Sequence, residues 1–327
     1  MALLRIGILG AAGIAPRSII APARRRSDVL VVAVASLRPN AARAYAAEHG
    51  IARAHESYEA LINDPGIDLV YNALHPAAHA RWSIAALGAG KHVLCEKPIA
   101  MNSGEALAMH AAATRNKRRL IEAFHDRYHP LTLHLLSLRD TGKLGALRAA
   151  RADFAVDIPY EPRSIRHDPK LGGGAMMDLG CYPVHWLRTL FGSEPQVLQA
   201  AGERNPLGAD LRMRATLQFP SGATAELMVD MAGGPMKAAL HVESTRGTLS
   251  VLNPVLPHLG HSVSCSMGPV SRQYTVAGAT SFDHQLEAVI DGLARHEPLP
   301  TEGADSIANM TAIEKIYVAA GFDIPGS

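Results

Sequence analysis

Over the first 124 residues, short apolar runs alternate with longer mixed stretches. Ile6–Leu9, Val29–Ala35, Leu69–Leu74, His92–Cys95 and Leu120–Ala123 have the length and content of buried strands. Helical patterns lie between them: one after the first glycines to about Arg26, then Ala41–His49, Ala77–Leu87 and Ser103–Asn116. This strand–helix rhythm predicts a parallel sheet covered on both faces by helices, with right-handed crossovers. After about Phe124 the rhythm changes. A helix near Leu131–Arg139 leads to a strand at Leu147–Ala155, then to a polar loop containing Pro159, Pro162 and Pro169, three glycines, and a helix ending near Phe191. From Pro195 to Val276 apolar and polar positions alternate. Turn signals at Asn205-Pro206, Ser221-Gly222, Gly233-Gly234 and Arg246-Gly247 mark the hairpins of an antiparallel sheet. Phe282–Arg295 and Ser306–Ala320 are the closing helices. The expected fold class is α/β, with one domain over residues 1–124 and a second, built on an open and mostly antiparallel sheet, over 125–327.

Composition narrows the function. Of 327 residues, 48% are apolar and 19% charged, which excludes disorder as the main state. Lysine plus arginine is 32 against 30 acidic residues, a net charge of +2. That balance argues against a dedicated nucleic-acid binder. No run of 18 apolar residues suggests a membrane span. The N-terminus reads as a first strand and not as a signal peptide. Cys95, Cys181 and Cys265 are dispersed and odd in number, so no disulfide framework is expected and a reducing cytoplasm is the default compartment. The pairs His75/His79 and His125/His129 have i,i+4 spacing, but Pro76 interrupts the first, neither has a zincin-like glutamate, and no metal is expected. The basic runs Arg24–Arg26 and Lys117–Arg119 are read as solvated helix ends.

The first strand runs into Gly10-Ala11-Ala12-Gly13-Ile14-Ala15. A dinucleotide-binding turn needs small residues at three places: for the tight turn, for backbone approach to the pyrophosphate, and for helix-on-strand packing. Gly10, Ala12 and Ala15 have that spacing, and a helix N-terminus follows that offers N–H groups to phosphate. The second strand ends at Ala35, and Ser36-Leu37-Arg38 follows with no acid for a ribose 2′-hydroxyl. Ser36 and Arg38 suit a 2′-phosphate instead, so NADP is expected as the preferred cofactor, with NAD possible in principle.

Two further constellations carry chemistry. His92–Cys95 runs into Glu96-Lys97-Pro98, which places Lys97 at the carboxyl end of a parallel strand, where such sheets bind ligands. Pro98 is expected to bias Lys97 toward an extended backbone. In the second half, three glycines (172–174) precede Asp178 and Tyr182, four apart on one helix face, with His185 three further on. The glycines are read as allowing close approach of a cofactor or substrate, and Pro183 as making the helix irregular beside Tyr182. The polar loop before them, with Arg163, Arg166, His167 and Asp168, is expected to border the pocket.

The glycine turn, the Glu96-Lys97-Pro98 step and the segment from Gly172 to Tyr182, in that order and spacing, resemble the Gfo/Idh/MocA family of NAD(P)-dependent oxidoreductases. The likeness covers nearly the whole chain and includes the two closing helices. It implies an N-terminal Rossmann domain and a C-terminal α/β domain whose open sheet often forms the oligomer contact. Lys97 matches the family's lysine, and the catalytic acid/base is expected four residues beyond Asp178. That position is histidine in many sugar and inositol dehydrogenases. Here it is Tyr182, as in the dihydrodiol dehydrogenase and NADP-dependent xylose dehydrogenase branch, a departure that counts against inositol-type substrates. The resemblance also implies cofactor contacts from the loop around Asn72, Leu74, His75 and His79, and from Arg127.

The expected chemistry is hydride transfer between nicotinamide and a sugar, polyol or related hydroxyl or carbonyl compound. Tyr182 would be the base. A free tyrosine titrates near 10, and a lysine ammonium within about 4–6 Å would lower that by roughly 1–3 units. Lys97 would be that neighbour, and Asp178 would hold Lys97 or a substrate hydroxyl. Arg163, Arg166 and His185 complete the expected substrate contacts. The alternatives are redox-neutral glycoside cleavage with retained cofactor, and a cofactor-sensing regulator without turnover. Self-association is expected, on the premise that the open sheet has an apolar side to bury.

Overall fold

A computed structural model describes residues 3–327. Contacts divide the chain into two compact units. The first comprises the stretch ending at Ala100, residues 104–125 and residues 282–307, and the second comprises 101–103, 126–281 and 308–327.

The first unit holds a six-stranded sheet: β1 (Leu4–Leu9), β2 (Val29–Ala35), β3 (Arg53–His55), β4 (Leu69–Asn72), β5 (His92–Cys95) and β6 (Leu120–Glu122). Its order is β3-β2-β1-β4-β5-β6, and every pairing is parallel. The helices between strands are α1 (Ala21–Arg24), α2 (Ala41–Glu48), α3 (Tyr58–Ile62), α4 (Pro76–Gly88) and α5 (Ser103–Arg115). β3 and α3 have three and five residues. Neither spans enough of a period to be read from the sequence, and both went unpredicted. The order reverses beside β1, with β2 on one side and β4 on the other. That is the switch point outside whose strand ends ligands bind in such sheets.

Helix α8 (Ser281–Arg295) contributes to the first unit, although it follows the second sheet in sequence. Leu286, Val289 and Ile290 join Ile6, Ile19 and Val29 in one buried cluster. In the two basic runs Arg24, Arg25, Lys117 and Arg118 are exposed, as expected, and three members also form ion pairs: Arg26 with Asp28 at 2.8 Å, Arg25 with Asp283 at 2.5 Å, and Arg119 with Glu302 at 2.7 Å. The latter two pairs reach partners 258 and 183 residues away, too distant for a local pattern to reveal.

The second unit is an eight-stranded sheet of order β14-β13-β12-β11-β7-β10-β9-β8. Its strands are β7 (Leu147–Ala155), β8 (Gln196–Arg204), β9 (Asp210–Gln218), β10 (Thr224–Asp230), β11 (Lys237–Ser244), β12 (Gly247–Leu252), β13 (Ser262–Met267) and β14 (Val270–Tyr274). All pairings are antiparallel except β7 with β10. β7 reaches that position because a long loop and α7 (Cys181–Phe191) intervene before the hairpins begin. Also in this unit are α6 (Pro130–Asp140) and most of α9 (Ala304–Ala319).

Ala150, Ala152 and Phe154 of β7 share a buried face with Leu227, Leu240, Met213 and Val251 of neighbouring strands. The opposite face is mixed: Met228, Ala239 and the exposed Leu252 lie in register with Asp153 among charged residues. Arg212 pairs with Asp230 at 2.8 Å and Glu203 at 3.1 Å, and Asp153 with Arg151 at 3.0 Å and Lys237 at 3.6 Å. Ion pairs within and between strands therefore share that side of the sheet with apolar side chains.

Two wide, five-residue helical turns interrupt regular helix, at Pro16–Ile20 and Met176–Gly180. Both stand just before a proline, Pro22 and Pro183. Proline brings no N–H to the carbonyl four residues back, and its ring crowds that carbonyl, so the preceding turn opens. The irregularity expected beside Tyr182 is the second of these turns.

Candidate active site

In the first unit the glycine turn is shaped for close approach. Gly10 has φ +94°, and a Cβ there would lie 3.1 Å from the Leu74 side chain and 3.3 Å from the Ala73 carbonyl oxygen. The Gly10 N–H itself bonds to the Ala35 carbonyl. Among the described residues, the backbone N–H groups from Ala11 to Ile14 have no partner, whereas Ala15 N–H returns to Ala12. A row of uncommitted N–H groups at a helix start fits a pyrophosphate. Ala15 is fully buried against the sheet, as the third small position requires. Tyr45 on α2, which the sequence reading missed, donates its hydroxyl to the Ala12 carbonyl at 2.9 Å and holds the turn from outside. Arg38 is exposed, and its guanidinium reaches back to the Ala11 carbonyl at 3.4 Å. The Ser36 hydroxyl accepts from the Arg38 N–H at 3.3 Å. The expected cofactor residues at the ends of β1 and β2 therefore lie together.

The loop after β4 needs a finer assignment. Asn72 is buried. Its amide donates to Ser83 at 3.0 Å and the His79 carbonyl at 3.3 Å, and its oxygen accepts from Leu74 N–H at 3.3 Å. His79 is likewise fully buried, its ring nitrogens 2.9 Å from the carbonyl oxygens of Pro98 and Leu74. Burial pushes its imidazole down to about 4, so at neutral pH it has one N–H and donates to one of those two carbonyls. Both side chains tie loops of the protein together instead of presenting polar atoms to a ligand, which corrects the expected direct contact. His75 differs: its Nδ1 is buried without a hydrogen-bond partner, and burial lowers its pKa.

The Lys97–Pro98 peptide bond is cis, and Lys97 is half-buried. The preceding Glu96 accepts a short hydrogen bond from the buried Tyr71 hydroxyl, which lies 2.7 Å from Ser18 Oγ. Burial pushes the Glu96 carboxyl up, and the Tyr71 hydroxyl and the Lys97 ammonium hold it down. Burial with the Glu96 charge alongside keeps Tyr71 protonated, hence a donor, well above its ordinary range. Glu96, expected as a cofactor contact, is thus anchored through strand β4 to the first helical turn.

In the second unit the three glycines serve the protein's own packing as much as any ligand. Gly174 has φ +128°, and a Cβ there would lie 2.1 Å from Asp210 Oδ1. Asp210 is fully enclosed, accepting from the Tyr317 hydroxyl at 2.7 Å and from Met176 N–H at 2.6 Å. It clamps the start of the wide turn that carries Asp178. Asp178 pairs with Arg166 at 3.2 Å, so two of the expected substrate residues do meet. Arg163 is exposed on the same loop, with its N–H on Glu161 at 3.1 Å. His167 is buried with Nε2 3.1 Å from the Pro159 carbonyl, and Asp168 caps the next turn through Lys170 N–H at 2.9 Å.

Tyr182 stands in the first turn of α7 and is 5% exposed. Its ring meets Phe154 at 5.9 Å and Trp186 at 6.2 Å. His185 is buried and lines one small cavity with Asp126, Arg127 and Trp186; burial raises the Asp126 carboxyl, against a lowering from His185. Arg127 is half-buried and also lowers that pKa. Among the described residues no group of three or more His, Cys, Asp or Glu side chains could hold a metal ion, and no helix is long and apolar enough to cross a membrane.

Residues 4–124 match the oxidoreductase family with an NAD-binding Rossmann fold, and residues 132–250 match the Gfo/Idh/MocA C-terminal domain. The chain belongs to the Gfo/Idh/MocA family. As a member of that family it is an oxidoreductase with an NAD(P)-binding first unit. Among Gfo/Idh/MocA relatives, a D-xylose 1-dehydrogenase (NADP(+)) of Haloferax volcanii is 33% identical, covering 97% of each chain. The human trans-1,2-dihydrobenzene-1,2-diol dehydrogenase is 30% identical, covering 92% of this chain and 91% of the relative. A crystal structure of aldose-aldose oxidoreductase from Caulobacter crescentus, complexed with glycerol, superposes with a TM-score of 0.90 at 26% identity, covering 98% of both chains.

Proposed function

We propose that this chain is an NADP-preferring dehydrogenase that oxidises a CH–OH carbon of a sugar, polyol or related compound, with Tyr182 as the base. The observation that carries the reading is the second-unit constellation: a buried phenol enclosed by two aromatic rings, one turn beyond an Asp178 carboxylate paired with Arg166. The first unit supports it with a row of uncommitted N–H groups in the glycine turn and an anchored Glu96-Lys97 step. Relatives named for D-xylose, dihydrodiol and aldose chemistry, NADP-linked in the first case, point to the same substrate class.

When bound, the nicotinamide supplies the hydride acceptor, or the donor in reverse. Tyr182 Oη takes the proton of the substrate hydroxyl on oxidation and returns it on reduction. Lys97 is the cation that would orient the substrate oxygen. Asp178 and Arg166 bind further substrate hydroxyls, and Arg163 lines the same loop. Arg38 and Ser36 receive the 2′-phosphate. Three free cysteines fit a reducing compartment. Self-association through the second sheet would draw on both the apolar and the charged side chains of its open face, and its charged part would weaken with salt.

The test is NADP reduction, followed by absorbance, against a panel of aldoses, polyols and trans-diols that includes D-xylose. Tyr182→Phe is expected to lower kcat about 10²–10⁴-fold with NADP affinity unchanged. Wild-type turnover in that variant removes Tyr182 from the role. Cleavage of a glycoside without net NADPH would replace oxidation by redox-neutral chemistry.

A further inference from the structure

Asp126 lies in the short turn His125–Tyr128 and is 1% exposed. A carboxylate at that depth needs strong donors. Its Oδ2 accepts the indole N–H of Trp186 at 2.7 Å. Its Oδ1 is buried with no hydrogen-bond partner. Asp126 borders a cavity of about 30 Å³ shared with Arg127, Thr132, His185 and Trp186. Burial raises the Asp126 pKa, while His185, the indole N–H and Arg127 oppose that rise.

Trp186 is four residues beyond Tyr182 on α7, so the two side chains share a face. Their ring centroids are 6.2 Å apart with planes at 41°. Phe154 stands edge-on to Tyr182 at 5.9 Å and stacks on Trp186 at 6.3 Å with planes at 28°. One wall of the phenol, Phe154, is fixed by its place in β7, at the centre of the sheet. The other wall is an indole, whose rotation would leave its own N–H unpaired and take a hydrogen bond from the buried Asp126 carboxylate. That double cost holds the indole in one rotamer.

We propose that Asp126 and Trp186 are positioning residues for Tyr182: the buried carboxylate fixes the indole, and the indole fixes the orientation of the phenol. Neither touches a reacting atom. The inference rests on the reading of Tyr182 as the base, and the experiment separates failure of the two.

The measurement is steady-state turnover of the full chain with NADP and the panel compound turned over fastest, for Trp186→Phe, Asp126→Asn, Asp126→Leu, Tyr182→Phe and the double variant Trp186→Phe/Tyr182→Phe. Trp186→Phe keeps a ring but no donor, and is expected to lower kcat about tenfold while the KM for NADP stays within about twofold. Asp126→Leu should do the same. Asp126→Asn, whose amide oxygen can still accept from the indole, should retain turnover within about threefold of wild type. In the Tyr182→Phe background Trp186→Phe should cost nothing further, because it acts through the missing hydroxyl. The proposal is overturned if Trp186→Phe leaves kcat unchanged, or costs the same factor with and without the Tyr182 hydroxyl. If Tyr182→Phe itself turns over normally, it is the assignment of the base that falls. A readout without turnover comes from Trp186 emission with Trp82 replaced by Phe. Asp126→Leu should shift it and Asp126→Asn should not, and an unshifted spectrum in folded Asp126→Leu contradicts the bond.

Discussion

Removing one hydroxyl from Tyr317 should destabilise the second unit more in alkali than in acid. Tyr317 donates to Asp210 at 2.7 Å, and both are buried. Burial raises the Asp210 carboxyl from 3.8 to about 7, against the pull of the Tyr317 hydroxyl and Met176 N–H, so the folded protein holds this proton over a range where the unfolded chain has released it. The sign follows. Stability falls as pH rises from about 4 to about 7 and is level above that, by roughly 4 kcal/mol across the window for a shift of about three units. Tyr317 stays protonated throughout, because burial and the Asp210 charge push it well above its ordinary range. A hydrogen bond to a charged carboxylate contributes about 1.5–3 kcal/mol, and to a neutral one about 0.5–1.5. Tyr317→Phe should therefore cost about 1 kcal/mol at pH 5.5 and about 2–3 kcal/mol at pH 8.5, with the window displaced upward by about one unit. Urea unfolding of wild type and variant at the two pH values measures the gap. Trp186 emission in a Trp82→Phe background reports on the unit that contains Asp210. An equal loss at both values would mean that Asp210 does not change charge between them, and the account of the clamp would be wrong.

Two other outcomes test the first unit. Arg38→Ala should raise the KM for NADP at least about tenfold while leaving that for NAD nearly unchanged, since only the former carries a 2′-phosphate; an unchanged ratio of the two excludes Arg38 from cofactor choice. Gly10→Ala forces a Cβ into a left-handed φ of +94°, 3.3 Å from the Ala73 carbonyl oxygen. It should lower both stability, by about 1–2 kcal/mol, and NADP affinity, and a variant with wild-type melting and binding would show that the turn does not need its present shape.

What the sequence made legible was what local pattern encodes. β7 was read to the residue, because Leu147–Ala155 is long, apolar on one face and bounded by turns. The glycine turn and the Glu96-Lys97-Pro98 step were found because a few adjacent residue types suffice to specify them. β3 and α3 escaped for want of length. The position of α8 escaped because Leu286, Val289 and Ile290 show an apolar stripe without showing which core receives it. The ion pairs on the open sheet face escaped for a related reason. Alternation identifies two faces, but Arg151, Asp153, Arg212 and Asp230 become a paired lattice only once the strand register is known.

The same limit explains why the candidate site residues stand out in the sequence and the groups that contact their motifs do not. Lys97, Asp178 and Tyr182 sit inside compact motifs. The groups that orient them come from far along the chain: Tyr71 lies 25 residues before Glu96, Asp126 lies 60 before Trp186, and Tyr317 lies 107 after Asp210. Each is an ordinary tyrosine or aspartate in sequence and becomes distinctive only by burial. A buried carboxylate is costly unless donors meet it, so each of these acids persists only where the fold brings it a phenol, an indole or a backbone N–H. That requirement also explains why the wide turn at Met176–Gly180 can be tolerated beside Tyr182. Asp210 accepts from Met176 N–H at the turn's first residue and so satisfies one of the donors that a helix start leaves open. The residues proposed to carry chemistry therefore sit among polar contacts between positions distant in sequence, and a substitution at Asp126 or Asp210 should be felt at Tyr182 or Asp178, though neither acid stood out in the sequence.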